Sequence, residues 1–443
     1  RDPVLLTPKD QGRRVIIVFV DTLRADRLGT YGAVRKTPNI DALADSAVVF
    51  EQARSVAPWT LPSVRTAFTG RQPEEWDDAR TLHGLLAERG WKTAAYVNNA
   101  FIAPAMGMDR EWGAYDYNFL HNASGQVRFV LGELDKQPDR DQLVLFQLMD
   151  NHLPYNEPEP FASMYVGTQH PVPRRYGLYD MEDMKDPAVR KYASDRYDQT
   201  VQFVDSALGE LFAALRPDDI VILHSDHGEE LWDHGGAEHG HALWDELVRV
   251  PLIVRAPGVS PSRNDVPVSL LDLAPTVLDL LGEPVPPEMD GSSLLSVLRG
   301  GDGADLRARP QVIGRTLRNQ DSWALLDHGT KSIATLHTVS AFDLAKDPGE
   351  LSPRAVQPGG TAEMREALSS TLGRTFVPVL SVRAPGNKRW PVDGALQIDV
   401  GVPVRAAWQG LNNPGGAAVK GNVVEATGRP LPGEIYVLPE VPL

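Results

Sequence analysis

The chain has 443 residues, 42% of them hydrophobic, which is enough for a large core and for more than one domain. Its longest apolar run, Val15 to Val20, is strand-length, so nothing reads as a membrane span. The balance of 44 basic against 59 acidic residues leaves a formal charge of −15, which argues against general nucleic-acid binding, and the absence of cysteine removes disulfides, thiolate metal sites and Cys nucleophiles together.

The chain opens on Arg1 and not on Met, so a removed leader and a periplasmic or extracellular location are expected. RVIIVFVD (Arg14–Asp21) predicts a buried strand ended by a carboxylate. TPNIDALADSAVVF predicts a capped helix running into a second strand. In SVAPWTLPSVRTAFTGRQP (Ser55–Pro73) a helix is expected to open at Thr60, with Pro62 in its first turn. Thr60 then has two readings. It is an N-cap, or it is a nucleophile at the positive end of a helix, where free N–H groups bind an anion.

RTLHGLLAERGWKTAAYVNN predicts a helix, a stop at Gly90 and a strand running to Asn98 and Asn99. Gln142–His152 predicts a strand ending in Asp150, Asn151 and His152; Tyr192–Leu215 a long amphipathic helix; and Asp218–Gly228 a strand ending on Asp226 and His227. VPLIVRAPG continues the pattern, followed by a helix over Ser269–Gly282 and a Pro/Gly-rich hinge, EPVPPEMDGSS. A smaller α+β unit is expected from about Arg309, with a helix at about Ala362–Leu372 and short strands from Phe376 onward. The expected division is 13–300, 301–375 and a β-rich appendage over 376–443. Two aromatic loops, AMGMDREWGAYDYNF and YVGTQHPVPRRYGLYD, are expected to shape a pocket.

Helices alternating with apolar strands predict a three-layer α/β domain around a large, mostly parallel sheet. In such sheets the ligand sits beyond the carboxyl ends of the strands. Three strands bring Asp21, the Asp150–His152 group and Asp226–His227 to that rim. Each has a bland reading: Asp21 as a solvated strand-end carboxylate, Asp226 as an N-cap with Glu229 completing a capping box, His227 as a loop histidine. Together with Thr60 they make two carboxylates, an imidazole and a hydroxyl. That donor set suits one divalent ion of the Zn²⁺, Mn²⁺, Ca²⁺ or Mg²⁺ kind, which would activate the hydroxyl.

The sequence resembles the sulfatase branch of the alkaline phosphatase superfamily. The likeness rests on VDTLRADRLGTYG with TPNIDALADSAVVFEQARS, on PWTLPSVRTAFTGRQP, on DNHLPY, on HSDHGEELWDHGGAEHGHALWDELVRVPLIVRAPG, and on FDLAKDPGE. It implies that Asp21, Asp226, His227 and the hydroxyl of Thr60 bind the metal, and that Thr60 is the nucleophile. It further implies that His152 contacts the transferred group and that His241 lies near the position of a family lysine, which His239 or His234 could fill instead. Asn99 and Arg65 are matched as substrate-binding positions.

The chain also departs from the family pattern. The nucleophile motif Cys-x-Pro-Ser-Arg reads Thr-Leu-Pro-Ser-Val-Arg, so no formylglycine can form from Cys, and Arg65 is displaced by one position. Thr22 follows Asp21 where a second Asp is usual, and Pro154 stands four residues after Asp150 where a two-metal site has His; one ion is therefore expected. A Thr ester has no collapse to an aldehyde and must be hydrolysed by water. The expected activity is hydrolysis of phosphate mono- or diesters or phosphonate monoesters, on a small-molecule, glycan or lipid-headgroup ester. The rivals are a sulfatase, a phosphoglycerol-type transferase and a non-catalytic anion- or glycan-binding protein.

Overall fold

The computed structural model describes residues 11–73, 76, 79–167, 185–318, 322–335, 339–355, 360–372, 380–383, 394–399, 404–409, 417–421, 423–428 and 434–439. By contacts the chain divides into a unit of residues 1–331 with 342–352 and a unit of 332–341 with 353–443.

The first unit is built, in chain order, from β1 (Arg14–Val20), α1 (Pro38–Ala44), β2 (Val48–Arg54), α2 (Thr60–Thr69), α3 (Leu82–Glu88), β3 (Lys92–Val97), β4 (Ala114–Tyr117), α4 (Ala123–Leu134), β5 (Gln142–Leu148), α5 (Pro187–Ala213), β6 (Ile220–His224), the two-residue strands β7 (Glu230–Leu231) and β8 (Ala237–Glu238), α6 (Asp245–Val248), β9 (Leu252–Arg255), β10 (Ser262–Ser269) and α7 (Leu273–Leu280). Eight strands form one sheet in the order β10-β2-β9-β6-β1-β5-β3-β4. Neighbours run parallel except at β9, which is antiparallel to both β2 and β6.

Strand β1 shows why the sheet is covered on both sides. All seven of its residues are buried, and successive side chains of a strand point to opposite faces. Val15, Ile17 and Phe19 enter an apolar layer with α2, α3 and α7. Ile16, Val18 and Val20 enter another with α1, α4 and α5. The predicted three-layer, mostly parallel α/β architecture is thus the observed one.

The element boundaries differ in detail from the sequence reading. β3 and β5 stop at Val97 and Leu148, before the polar residues that were expected to end them. α5 starts earlier, because Asp186 caps it through the Ala188 N–H and Pro187 is its first residue. The Ser269–Gly282 helix is a short 3₁₀ turn, Leu270–Asp272, with a Ser269/Asp272 capping box, followed by α7. In the second unit a helix spans Gly360–Leu372. Two three-stranded antiparallel sheets follow, Leu380–Arg383/Glu434–Pro439/Val404–Gln409 and Gly394–Asp399/Val423–Gly428/Ala417–Lys420. Among the described residues no helix is long and apolar enough to cross a membrane.

α3 buries a histidine. The His83 ring stacks on Trp112 with centroids 3.9 Å apart, and its Nε2 lies 3.0 Å from the Arg110 carbonyl. Burial pulls its pKa from the ordinary 6.5 to about 3, although the Arg110 carbonyl opposes the fall. Below pH 6.5 the unfolded chain takes up a proton that the folded chain refuses until about pH 3. Stability present above 6.5 is therefore lost as the pH falls through that window, at up to about 1.4 kcal/mol per pH unit. His83→Phe keeps the stack and removes the proton site, so it should flatten the acid-side decline in urea-unfolding stability. An unchanged slope would place the decline in other groups.

Candidate active site

Thr60 is the first residue of α2, and extended Trp59 precedes it as N-cap without a side-chain capping bond. The cap reading of Thr60 therefore fails: as the first helical residue, its hydroxyl makes no capping bond. It lies 3.2 Å from Asn99 Nδ2 and 3.5 Å from His227 Nε2. The approach to α2 is held by other hydroxyls. Ser63 Oγ donates to the carbonyls of Trp59 (2.8 Å) or Ala57 (3.1 Å) and pairs with Ser55 Oγ at 2.7 Å.

The capping-box reading of Asp226 and Glu229 fails as well. No helix follows β6; the chain runs through a loop into β7. Asp226 Oδ1 accepts the N–H groups of His227 (2.9 Å) and Thr22 (3.3 Å). Glu229 turns instead to His239, whose Nδ1 lies 3.1 Å from its carboxylate.

Asp21, Asp226 and His227 are completely buried and face one another. Asp21 Oδ2 accepts from Asn99 Nδ2 and Gln147 Nε2, both at 2.7 Å. His227 donates from Nδ1 to the Gly228 carbonyl at 2.8 Å, which leaves Nε2 directed at the carboxylates, 3.2 Å from Asp226 Oδ2 and 3.9 Å from Asp21 Oδ1. Those two oxygens have no hydrogen-bond partner. Unpaired buried acceptors are costly. With His227 Nε2 they offer three ligand atoms within 4.8 Å of one another, the donor set a divalent ion takes. The residues present therefore fit the metal that enzymes of this fold bind.

The electrostatics of the cluster match that reading. Burial and the neighbouring Asp226 push Asp21 up to about 6. Burial would also raise Asp226, but the charge of His227, with smaller help from Thr60 and the Thr22 N–H, holds it below its usual value. His227 rises to about 9: burial opposes its charge, and Asp226 and then Asp21 outweigh that.

His152 and His239 complete the rim. Their ring centroids are 5.0 Å apart, and His239 lies 4.4 Å from His227. His152 donates from Nδ1 to the Leu153 carbonyl at 2.6 Å. Burial, followed by the charge of His227, pulls His239 well below its ordinary pKa. Of the three histidines weighed for the lysine position, His239 is the one in ring contact with this cluster. His241 is paired with Glu230 at 2.6 Å. His234 is paired with Glu246 at 2.6 Å and stacked on Trp244.

Arg65 does not join them. It lies five residues beyond Thr60, which turns it about 140° around the helix, whereas the fourth position would lie about 40° away. Buried Val64 holds that fourth position. Arg65 donates to the Met106 carbonyl at 2.6 Å and lies over the Trp76 ring. It helps to line a cavity of about 760 Å³ behind α2, as does most of the Ala105–Tyr115 stretch of the first aromatic loop. Most of the second aromatic loop lies outside the described residues. Arg65→Ala should leave kcat/KM within about threefold and cost about 1–3 kcal/mol of stability. A hundredfold loss of rate with unchanged melting would put Arg65 back at the reacting centre. Asp150 is likewise apart from the cluster, near the backbone N–H of Ala123.

Two site residues were not found from the sequence. Gln147, fully buried, bridges Asp21 and the Asn98 N–H, which it accepts at 3.1 Å. Its signal was a lone amide inside an apolar strand. Glu229 has the local pattern of half a capping box, and only the fold turns it to His239.

A mixed sheet between two helix layers, with this cluster beyond its carboxyl edge, is the architecture of the alkaline phosphatase superfamily. The sulfatase family model matches residues 13–283, more than half of the chain, and the chain belongs to the sulfatase family. It is similar to the uncharacterized sulfatase YidJ of Escherichia coli (strain K12), 37% identical over 64% of this chain and 70% of that one. It is also similar to the choline-sulfatase of Rhizobium meliloti (strain 1021), 25% identical over 56% of this chain and 53% of that one. Of two of its curated relatives the chain spans 32% and 53% of the length. Among solved structures, phosphonate monoester hydrolase SpPMH from Silicibacter pomeroyi superposes with a TM-score of 0.65, at 19% identity, over 82% of this chain and 94% of that one. At that identity the likeness is one of fold. By their names these relatives are ester hydrolases of sulfates or phosphonates.

Proposed function

We propose that the chain hydrolyses phosphate or phosphonate esters, with Thr60 as the nucleophile. The observation that carries this reading is the placement of the Thr60 hydroxyl. It is buried at the start of a helix, does not cap that helix, and lies within 3.5 Å of both an amide donor and an imidazole of the metal-type cluster. Asp21, Asp226, His227 and the Thr60 hydroxyl would hold one divalent ion. When bound, such an ion supplies positive charge against the anionic oxygens of the transferred group and eases loss of the Thr60 proton.

The chain's own groups do the rest. Asn99 Nδ2 donates towards both Asp21 and Thr60, which fixes the hydroxyl against the carboxylate cluster. The free N–H groups at the start of α2 favour a tetrahedral anion beside Thr60. A Thr ester must be cleaved by water, and this needs a base that is neutral at working pH. His239 is held neutral by burial, and its Nδ1 is committed to Glu229, so Nε2 is the atom left to accept a proton. His152, with Nδ1 committed to Leu153, presents its Nε2 to the leaving oxygen.

The test is a chromogenic panel of phosphate monoester, diester, phosphonate and sulfate esters with several divalent ions, followed by acid quench and mass spectrometry of the Thr60 peptide. A phosphoryl or phosphonyl adduct is expected. A sulfuryl adduct would reassign the transferred group, and turnover without any adduct on Thr60 would end the nucleophile reading.

A further inference from the structure

The carboxyl edge of the sheet carries a second hollow, of about 400 Å³, whose lining includes Asn98, Phe119, Leu120, Asn122, Asp150 and Asn156. It shares a wall with the cluster around Thr60. Asn98 directly precedes Asn99, and its N–H donates to Gln147, which in turn donates to Asp21. Met149 lines the hollow, while its Sδ lies 3.7 Å from the amide nitrogens of both Asn99 and Gln147. A substrate whose reacting group sits beside Thr60 thus has this hollow at its side.

We propose that this hollow receives the leaving-group half of the ester and selects a neutral, hydroxyl-bearing one, such as a sugar or polyol, against one that carries a further negative charge. The proposal rests on the hydrolytic reading of Thr60. Its chemistry is that of the lining. Among the described residues the lining holds neither arginine nor lysine; its basic side chain is His121, whose Nδ1 lies 3.3 Å from Gln126 Oε1. Asp150 stands at the start of α4 and accepts from the Ala123 N–H; burial pushes its pKa up to about 6, the N–H opposing the rise, so that it carries its negative charge above that pH. A leaving group with its own carboxylate or sulfate would meet that like charge, which is how a site excludes a partner. The amides of the lining both donate and accept, as hydroxyls do. Asn98 Oδ1 is buried without a hydrogen-bond partner and calls for a donor. At the mouth, Phe119 and Leu120 are 61% and 87% exposed, an apolar surface on which the C–H face of a sugar ring can rest.

The experiment compares esters of one transferred group with 4-nitrophenol, glucose and glucuronate as leaving groups, in the wild type and in Asp150→Asn. The wild type should favour the glucose ester over the glucuronate ester by about tenfold or more in kcat/KM. Asp150→Asn should close that gap, read as the ratio of the two kcat/KM values within the variant. A merely structural role for Asp150 would lower all three rates together with the ratio unchanged and overturn the proposal, as would a wild type that takes glucuronate as readily as glucose. Saturation-transfer NMR of the wild-type protein with methyl glucoside and methyl glucuronide reads the same hollow without turnover. Signal from the glucoside alone supports the proposal even if no ester is hydrolysed, and in that case the hydrolytic reading is the one that fails. No glucoside signal, or an equal signal from the glucuronide, sinks the proposal even if the aryl ester is turned over.

Discussion

Thr60→Asn should cut turnover by about four orders of magnitude or more, the scale seen when a covalent nucleophile is removed, while melting within a few degrees of the wild type. The argument rests on what each role asks of the oxygen. A cap needs only an acceptor for a backbone N–H, and asparagine supplies one. The Thr60 side chain makes no capping bond, so even that small term is absent from the comparison. A nucleophile must lose its proton and form an ester, which an amide cannot do. Thr60→Ser should keep part of the rate, because the oxygen survives and only a methyl is lost. Thr60→Ala should be as inactive as the Asn variant. Steady-state rates on the best panel substrate, with thermal melts beside them, decide the matter: a Thr60→Asn enzyme near the wild-type rate would remove Thr60 from the mechanism.

Asp226→Asn should lose both bound metal and activity, the latter by about a thousandfold or more, while the fold is retained. The substitution keeps the oxygen that accepts the His227 and Thr22 N–H groups, so the loop stays pinned. It replaces the partnerless Oδ2 with an NH₂ group, which cannot bind a cation. A ligand bound only by the folded chain adds about 2.7 kcal/mol at a hundred times its Kd. Added Zn²⁺, Mn²⁺ or Ca²⁺ should therefore raise the melting temperature of the wild type and leave the Asn variant unmoved. Elemental analysis after gel filtration gives the stoichiometry directly. A variant that keeps its metal and its rate would return Asp226 to a purely structural role.

The readable part of the site was the part that lies where strands end. Asp21, His152, Asp226 and His227 follow apolar runs, and alternation alone puts those ends on one edge. What was not readable depended on register or on a single backbone turn. Gln147 reaches Asp21 because β5 pairs with β1 so that Phe19 faces Gln147 and Val20 faces Leu148, a pairing no local pattern announces. The choice among His234, His239 and His241 turns on Glu238 and Gly240, whose positive φ angles of 68° and 80° bracket His239 and set which ring faces inward. Arg65 was misplaced because one inserted residue is a small change in a string and about 100° on a helix. The capping readings of Thr60 and Asp226 were sound local chemistry, overruled by a cluster assembled from five separate segments.

The reversed strand β9 has a consequence for how the protein can change. Because β9 is antiparallel to β6, residues 225–251 leave the sheet and return to it along the same edge, between adjacent strands. Neighbouring strands are only about 4.8 Å apart, so the two ends of this excursion are fixed close together whatever its length. Doubling a loop between fixed ends costs only about 0.6 kcal/mol. The excursion can therefore be lengthened at its exposed turn, at Gly235, without re-threading the sheet, while buried Glu229, His239, Leu243 and Leu247 hold the rest of it in place. New residues inserted there would enter solvent and not the core. The fold thus separates, within one excursion, a packed part that carries His227 and His239 from an exposed turn at Gly235 where added chain costs the core least.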